Sequence, residues 1–289
     1  MSELRIAFAG DRDIAVWALD FVLSRGVRPL ALMVPDEPRA SHAHALRDRC
    51  KHLSENNILV GTSFREPTGI NKLRALELDY VLGIHFPYLV PKEVLAVSKH
   101  GFLNLHPAYL PFNRGWHTST WTILQGTPAG ATLHFMDTGV DTGDVIHQKL
   151  LHVAEDDTAD TLYKRLKKLE LEVLQEAWPQ LTACNFIRIP QKSNDGTYHK
   201  RKDLFQGQVQ RINLDEPTTA LQLITSLRAL TTDRIDEAAY FEVDGERFRV
   251  QLVIATEGRD REGCSELTVI HRDNAASAYN CKNEVQPGS

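Results

Sequence analysis

The stretch "LRIAFAGDRDIAVWALDFVLSRGVRPLALMVPD", residues 4–36, sets the architecture of the chain. "LRIAFAG" is a short apolar run closed by glycine, as expected of a strand covered on both faces. "DIAVWALDFVLSRG" then carries apolar residues at helical spacing (Ile14, Trp17, Ala18, Phe21, Val22) and stops at Gly26, a helix-ending residue. Trp17 and Phe21 are expected in the core. "RPLALMVPD" returns to strand pattern, which makes a βαβ unit. The alternation continues through the helix pattern "HALRDRCKHLSENN", the strand "ILVGTS" and the helix "REPTGINKLRALEL". "DYVLGIHFP", "PKEVLAVSKHG" and "GFLNLHP" carry it further. The expected fold is α/β and Rossmann-like: a mostly parallel twisted sheet with helices on both faces. In such a sheet, ligands collect beyond the carboxyl ends of the strands.

Past residue 115 the pattern gives a helix ("WHTSTWTILQG"), two strands ("GATLHFMD" and "DVIHQKLLHV") and a long helix from Thr158 to about Cys184. Its "KRLKKLELE" run reads as an exposed face with helical charge pairs. "IPQKSNDGTYHKRKD" is polar and basic, and reads as a linker. Then follow a helix ("PTTALQLITSLRAL"), a hairpin turning at Asp244-Gly245 and a strand, "SELTVIHR". The expected division is a catalytic domain over 1–204, including a linker at 187–204, a small β-rich domain over 205–272 and a loose tail over 273–289.

Composition excludes several classes. Hydrophobic content of 42% and charged content of 25% are ordinary for a soluble globular chain. A net charge of −5 argues against nucleic acid as the main partner. No signal-like start or membrane-length apolar run is present, and the four scattered cysteines read as free thiols, so a cytoplasmic location without membrane association is expected. "FAGDRD" has one glycine where a dinucleotide fingerprint needs three. The loop "DTGVDTGD" lacks the ligands of a calcium loop, and the twelve histidines form no ligand-spaced cluster, so no metal is expected.

Within "GFLNLHPAYLPFNRG", residues 101–115, alternation puts Asn104 and His106 on one face and Leu103 and Leu105 on the other. The pair lies at a strand's carboxyl end, facing the expected crevice. Hydrogen bonding of both side chains to loop backbone is an equal reading of the pair alone, but a second polar cluster, "HFMDTGVDTGD", also follows a strand. An amide, an imidazole and a carboxylate suit acyl transfer to an amine: one steadies the oxyanion, one polarises or transfers a proton, and one sets charge.

"NLHPAYLP" followed by "LHFMDTGVDTGDVIHQ" resembles the formyltransferase family that uses N10-formyltetrahydrofolate, over about residues 1 to 185. Within that family, "HFPYLVP", "LPFNRG" and "GTYHKRKDL" are most similar to the sugar N-formyltransferases. The resemblance implies Asn104, His106 and Asp141 as catalytic residues. It implies a pterin pocket at Gly83, Ile84, His85, Phe86, Pro87 and Tyr88, completed by Thr138, Gly139 and Val140. It also implies N10-formyltetrahydrofolate as co-substrate, a nucleotide-linked deoxyamino sugar as acceptor, a homodimer and a place in lipopolysaccharide O-antigen biosynthesis. Arg12, Arg114, Trp116, Tyr198 and Lys200 are candidates for the acceptor side, although "HKRK" reads equally as a solvated loop. Tyr198 and Tyr240 are each weighed as base-stacking or core. Alternatives are a methionyl-tRNA formyltransferase, a formyltetrahydrofolate hydrolase, and a non-catalytic nucleotide-binding protein.

Overall fold

The computed structural model describes residues 4–192 and 195–255. In chain order its first half holds β1 (Ile6–Gly10), α1 (Arg12–Ser24), β2 (Ala31–Val34), α2 (Ala43–Arg49), β3 (Ile58–Val60), α3 (Pro67–Ala75), β4 (Leu78–Ile84), α4 (Lys92–Leu95) and β5 (Ser98–His106). β6 (Arg114–Gly115), α5 (Thr118–Gln125), β7 (Ala129–Phe135), β8 (Val145–Leu151) and α6 (Ala159–Thr182) follow. β9 (Tyr198–His199), α7 (Ala220–Ala229), β10 (Ala239–Val243) and β11 (Glu246–Val250) complete the described chain. The proposed strand "SELTVIHR" and the tail lie outside the described residues.

Seven strands form one sheet in the order β3-β2-β1-β4-β5-β7-β8. Its first five strands are parallel, while β7 and β8 run antiparallel at the far edge. The order reverses between β1 and β4, which opens a crevice at their carboxyl ends. Both faces are covered. Phe8, Leu82, Leu103 and Leu105 pack with Ile14 and Leu19 of α1 and Val173 and Trp178 of α6. Ala9, Met33, Val81 and Phe102 pack with Phe64, Leu73 and Val94 on the other side. Pleating therefore sends Asn104 and His106 to the Phe102 side, as the alternation requires.

Local chemistry explains the element ends. A Cβ on Gly10 would stand 2.8 Å from the Ala15 Cβ, so glycine permits the close packing of β1 and α1. α6 begins at Thr158, whose side chain accepts from the Thr161 amide in a capping box. Asp244 and Gly245 have φ of 51° and 80°, the conformation a two-residue hairpin demands. α7 docks against α5 and α6 through Ala229, which packs with Ile123, Ala159 and Leu162. The hairpin does not stand alone. Tyr240 exchanges backbone hydrogen bonds with Gln210 and Ile212, each 2.7 Å.

Four expectations are corrected. α2 ends at Arg49, and residues 55–57 form a separate 3-10 turn. Ser54, Asn56 and Asn57 favour such local bonding over helix. "PKEVLAVSKHG" yields a single helical turn before β5 begins at Ser98. Phe21 is buried as expected, but Trp17 is 36% exposed, with the Lys167 ammonium 5.7 Å over its ring. The charge run of α6 is likewise not all solvated: Lys164 pairs with Asp160 outside, while Glu170 is fully buried.

Candidate active site

β5 carries Asn104 and His106 to the crevice between Gly83 of β4 and His134 and Thr132 of β7, their register partners. Asn104 Nδ2 donates to Asp141 Oδ1 at 3.2 Å and lies 3.2 Å from His134 Nε2. His106 Nε2 donates to the Asn113 carbonyl at 3.1 Å and stands 3.7 Å from Asp141 Oδ2. Asp141 is thus the hub of a group that includes His134, 3.6 Å from Asp141 Oδ1, which carries no motif of its own. The cue was its register opposite Asn104, which strand pairing alone reveals.

Asp137 builds the turn that presents Asp141. Its Oδ1 accepts from the Gly139 amide (2.9 Å) and the Thr142 hydroxyl (2.6 Å). Asp141 itself sits at φ 53°, with its carbonyl held by Gln191 Nε2 at 2.9 Å. Its Oδ2 accepts from the Gly115 amide at 2.9 Å. Burial alone would push the Asp141 carboxyl up. The His106 and His134 imidazoles and the Gly115 amide outweigh it and hold the group far below the ordinary carboxylate range.

Residues 197–199 lie across the loop that follows His106. Thr197 O accepts from the Arg114 amide and His199 O from the Trp116 amide, at 3.0 and 2.9 Å. Gly115 is required between them: its φ is +96°, and a Cβ would fall 2.2 Å from His199 O. His199 stacks on Trp121 at 4.1 Å. The solvated-loop reading of "HKRK" is therefore corrected at His199, which is buried, and holds for exposed Lys200.

Of the acceptor-side candidates, Arg114 and Tyr198 are register partners in the β6–β9 pair, and Trp116 is 40% exposed beneath the Arg201 guanidinium at 5.2 Å. Lys200 caps a 3-10 turn, its backbone amide donating to Asp203 Oδ2 at 2.7 Å. Tyr240 is set apart in the hairpin, with Arg247 and Arg249 over its ring. Arg12 opens α1 at φ 69° with its side chain exposed. Sequence reasoning missed His117, on which these cations converge. Burial first, and then the charges of Arg201, Arg234 and Arg12, hold its imidazole below the ordinary range, against a hydrogen bond to the Arg201 backbone. Its Nδ1 is 3.8 Å from Glu237 Oε2.

Around the expected pterin pocket, several side chains are already committed. Gly83 has no room for one, since a Cβ would meet the Phe102 ring at 2.7 Å. Ile84 is in the core, His85 turns to Glu170, and Phe86 and Tyr88 pack on Phe64. The Tyr88 hydroxyl donates to Asp36 at 2.6 Å. Pro87, Thr138 and Gly139 are exposed and Val140 is half-buried. The two loops offer mainly backbone groups. Among the described residues no His, Cys, Asp and Glu cluster is arranged for a metal.

A family model described as "Formyl transferase" matches residues 29–178. The chain belongs to the formyl transferase family. A second model, "N-formyltransferase dimerization C-terminal domain", matches residues 206–256. Among curated relatives, a "Methionyl-tRNA formyltransferase" of Geobacter sulfurreducens is 30% identical over 193 residues. That match covers 65% of this chain and 61% of the relative, so the chain spans less than two thirds of the relative's length. Among solved structures, a "4-N formyltransferase" from Francisella tularensis has a TM-score of 0.74 at 22% identity, covering 88% of this chain and 100% of that one. An N-formyltransferase from Helicobacter canadensis, solved with folinic acid and dTDP-3-aminofucose, has a TM-score of 0.64 at 20% identity, covering 84% and 86%. These likenesses bear out the Rossmann-like fold. Among the described residues no helix is long and apolar enough to cross a membrane.

Proposed function

We propose that the protein moves a formyl group from N10-formyltetrahydrofolate to the amine of a nucleotide-linked deoxyamino sugar. The observation that carries this is the meeting of Asn104, His106 and Asp141 at the carboxyl end of β5, where Asp141 accepts from the amide of Gly115, the chain neighbour of an exposed Trp116 that lies beneath Arg201. The folate supplies an activated formyl group, and the residues fit it: a side-chain-free Gly83 beside Asn104, and two loops offering backbone donors and acceptors. Asn104 and His106 steady the oxyanion formed when the amine adds to the formyl carbon. The bond to Asn113 fixes Nε2 as the protonated nitrogen of His106, so in the neutral ring Nδ1 carries the lone pair that can take a proton. Asp141 orients both partners and stays ionised while they act. The substrate amine loses one proton, and the departing folate nitrogen gains one.

On the acceptor side, Arg12, Arg114, Arg201 and Arg234 suit a diphosphate, and Trp116 or Tyr198 a base. The relatives named for methionyl-tRNA raise a second reading. Charge opposes it. Residues 205–289 hold nine Lys and Arg against fourteen Asp and Glu, while phosphate contacts supply much of nucleic-acid affinity. The C-terminal match and the Helicobacter canadensis ligands favour the sugar.

The test offers methionyl-tRNA and a panel of dideoxyamino sugar nucleotides side by side with N10-formyltetrahydrofolate. An amino sugar nucleotide should be formylated, with no salt-sensitive tRNA binding. Formylation of the tRNA alone overturns the proposal. Rapid formate release without an acceptor points instead to a hydrolase.

The same reading includes a dimer. Leu221 and Ile224 of α7 and Val243 of the hairpin are exposed, beside a segment matched to a dimerization domain. Sedimentation at micromolar concentration should give twice the chain mass of 32.6 kDa, and the monomer mass would rule the dimer out.

A further inference from the structure

α6 buries a carboxylate that the chemistry above leaves unused. Glu170 is 0% exposed. Its Oε1 accepts from His85 Nε2 at 2.8 Å, while Oε2 is buried with no hydrogen-bond partner. A carboxylate in such a place is costly unless its partner is held firmly. His85 is held from a second side, since its Nδ1 meets the Tyr163 hydroxyl at 3.3 Å and the two rings stack. The Arg12 guanidinium also lies against Tyr163, and Lys167 reaches over the same ring to Asp13 at 2.6 Å.

The backbone shows what this clamp acts on. His85 is the first residue past β4 and sits at φ 51°, a left-handed conformation that a non-glycine residue keeps only where its surroundings hold it. That residue sets the direction in which the chain leaves β4, two positions after Gly83, the register partner of Asn104. On the other side of the switch point, Asp11 N donates to Ile84 O at 3.2 Å, and Arg12 follows at φ 69°. Two strained strand exits therefore meet at one tyrosine on α6.

We propose that Glu170, acting through His85 and with Tyr163, is a positioning residue for the formyl donor. It fixes the exit of β4 so that the backbone of residues 83–88 faces the donor beside Asn104. This rests on the formyltransferase reading. A purely structural ion pair would change stability without changing donor affinity, and that difference is measurable.

The experiment measures tetrahydrofolate binding by calorimetry on the full chain, together with thermal melting. Wild type should bind. Glu170→Ala should bind about tenfold more weakly, as expected for one lost charge-assisted hydrogen bond. Glu170→Gln, whose amide oxygen can accept the same bond from His85, should restore affinity to within about threefold. Leu166→Ala, truncated in the core under the same helix, should lower the melting temperature and leave affinity unchanged. If Glu170→Ala does not fold, Tyr163→Phe decides, because it removes only the hydroxyl and should still weaken binding. Unchanged affinity in Glu170→Ala, or in Tyr163→Phe where that variant decides, overturns the proposal, as does equal weakening by Leu166→Ala. Failure of wild type to bind tetrahydrofolate is a separate result, and it removes the formyltransferase reading itself.

Discussion

His106→Asn should lower formyl transfer by about 10²–10⁴-fold, the range for lost acid–base assistance, while folding and folate affinity stay nearly intact. The side chain sits at the end of β5, where only 6% of the residue is exposed, but its neighbours are polar groups and loop backbone rather than the apolar core. Asparagine can still donate toward the Asn113 carbonyl. It cannot exchange a proton near neutral pH, and it cannot offer a cation to the oxyanion. Stopped-flow turnover with saturating donor, alongside folate titration, separates chemistry from binding. Wild-type turnover in this variant would remove His106 from the mechanism.

Asp141→Asn should cost turnover on the same scale, about 10²–10⁴-fold, and some stability as well. The carboxylate takes the Gly115 amide on one oxygen and the Asn104 amide on the other. A primary amide has one oxygen for two donors, and its own N–H groups would face donors. Asp137→Asn should matter far less, since the oxygen that accepts from Gly139 and Thr142 survives the change. The pH dependence has a defined sign. A carboxyl whose pKa is lower folded than unfolded stabilises the fold above its unfolded value, roughly 3.9, and loses that contribution as pH falls toward its folded value. Wild type should therefore melt above Asp141→Asn at about pH 5, and the margin should narrow below about pH 4. Equal rate losses in the two aspartate variants would mean that the turn, not the carboxylate, is what matters.

The fold was legible wherever periodicity and local punctuation agree. Strand and helix alternation over residues 4–106 needs only the difference between periods of 2 and 3.6, and Thr158, Gly26 and Asp244-Gly245 mark ends by their own backbone chemistry. The shared face of Asn104 and His106 was legible by alternation alone, but singling out Asp141 required the family resemblance, because spacing gives no reason to prefer it to Asp137 or Asp144. What stayed hidden depends on partners distant in the chain. Glu170 sits in a run of charges that satisfies every rule for a solvated face, and only His85, 85 residues earlier, explains its burial. Trp17 follows the apolar spacing, yet Lys167 of another helix gives its ring a polar edge. His117 carries no motif, and the cations around it come from α1, the linker and the C-terminal segment.

The pairing of β9 with β6 also bears on how such enzymes can be recombined. One wall of the crevice is contributed by chain that follows α6, on the way to the C-terminal segment, so on the proposed function acceptor choice is not confined to the chain that ends with α6. A chimera joined at residue 205 would pair a foreign C-terminal piece with this chain's own wall, keeping acceptor preference and changing assembly. One joined at residue 192 would import the wall together with the appendage, and acceptor preference would travel with it.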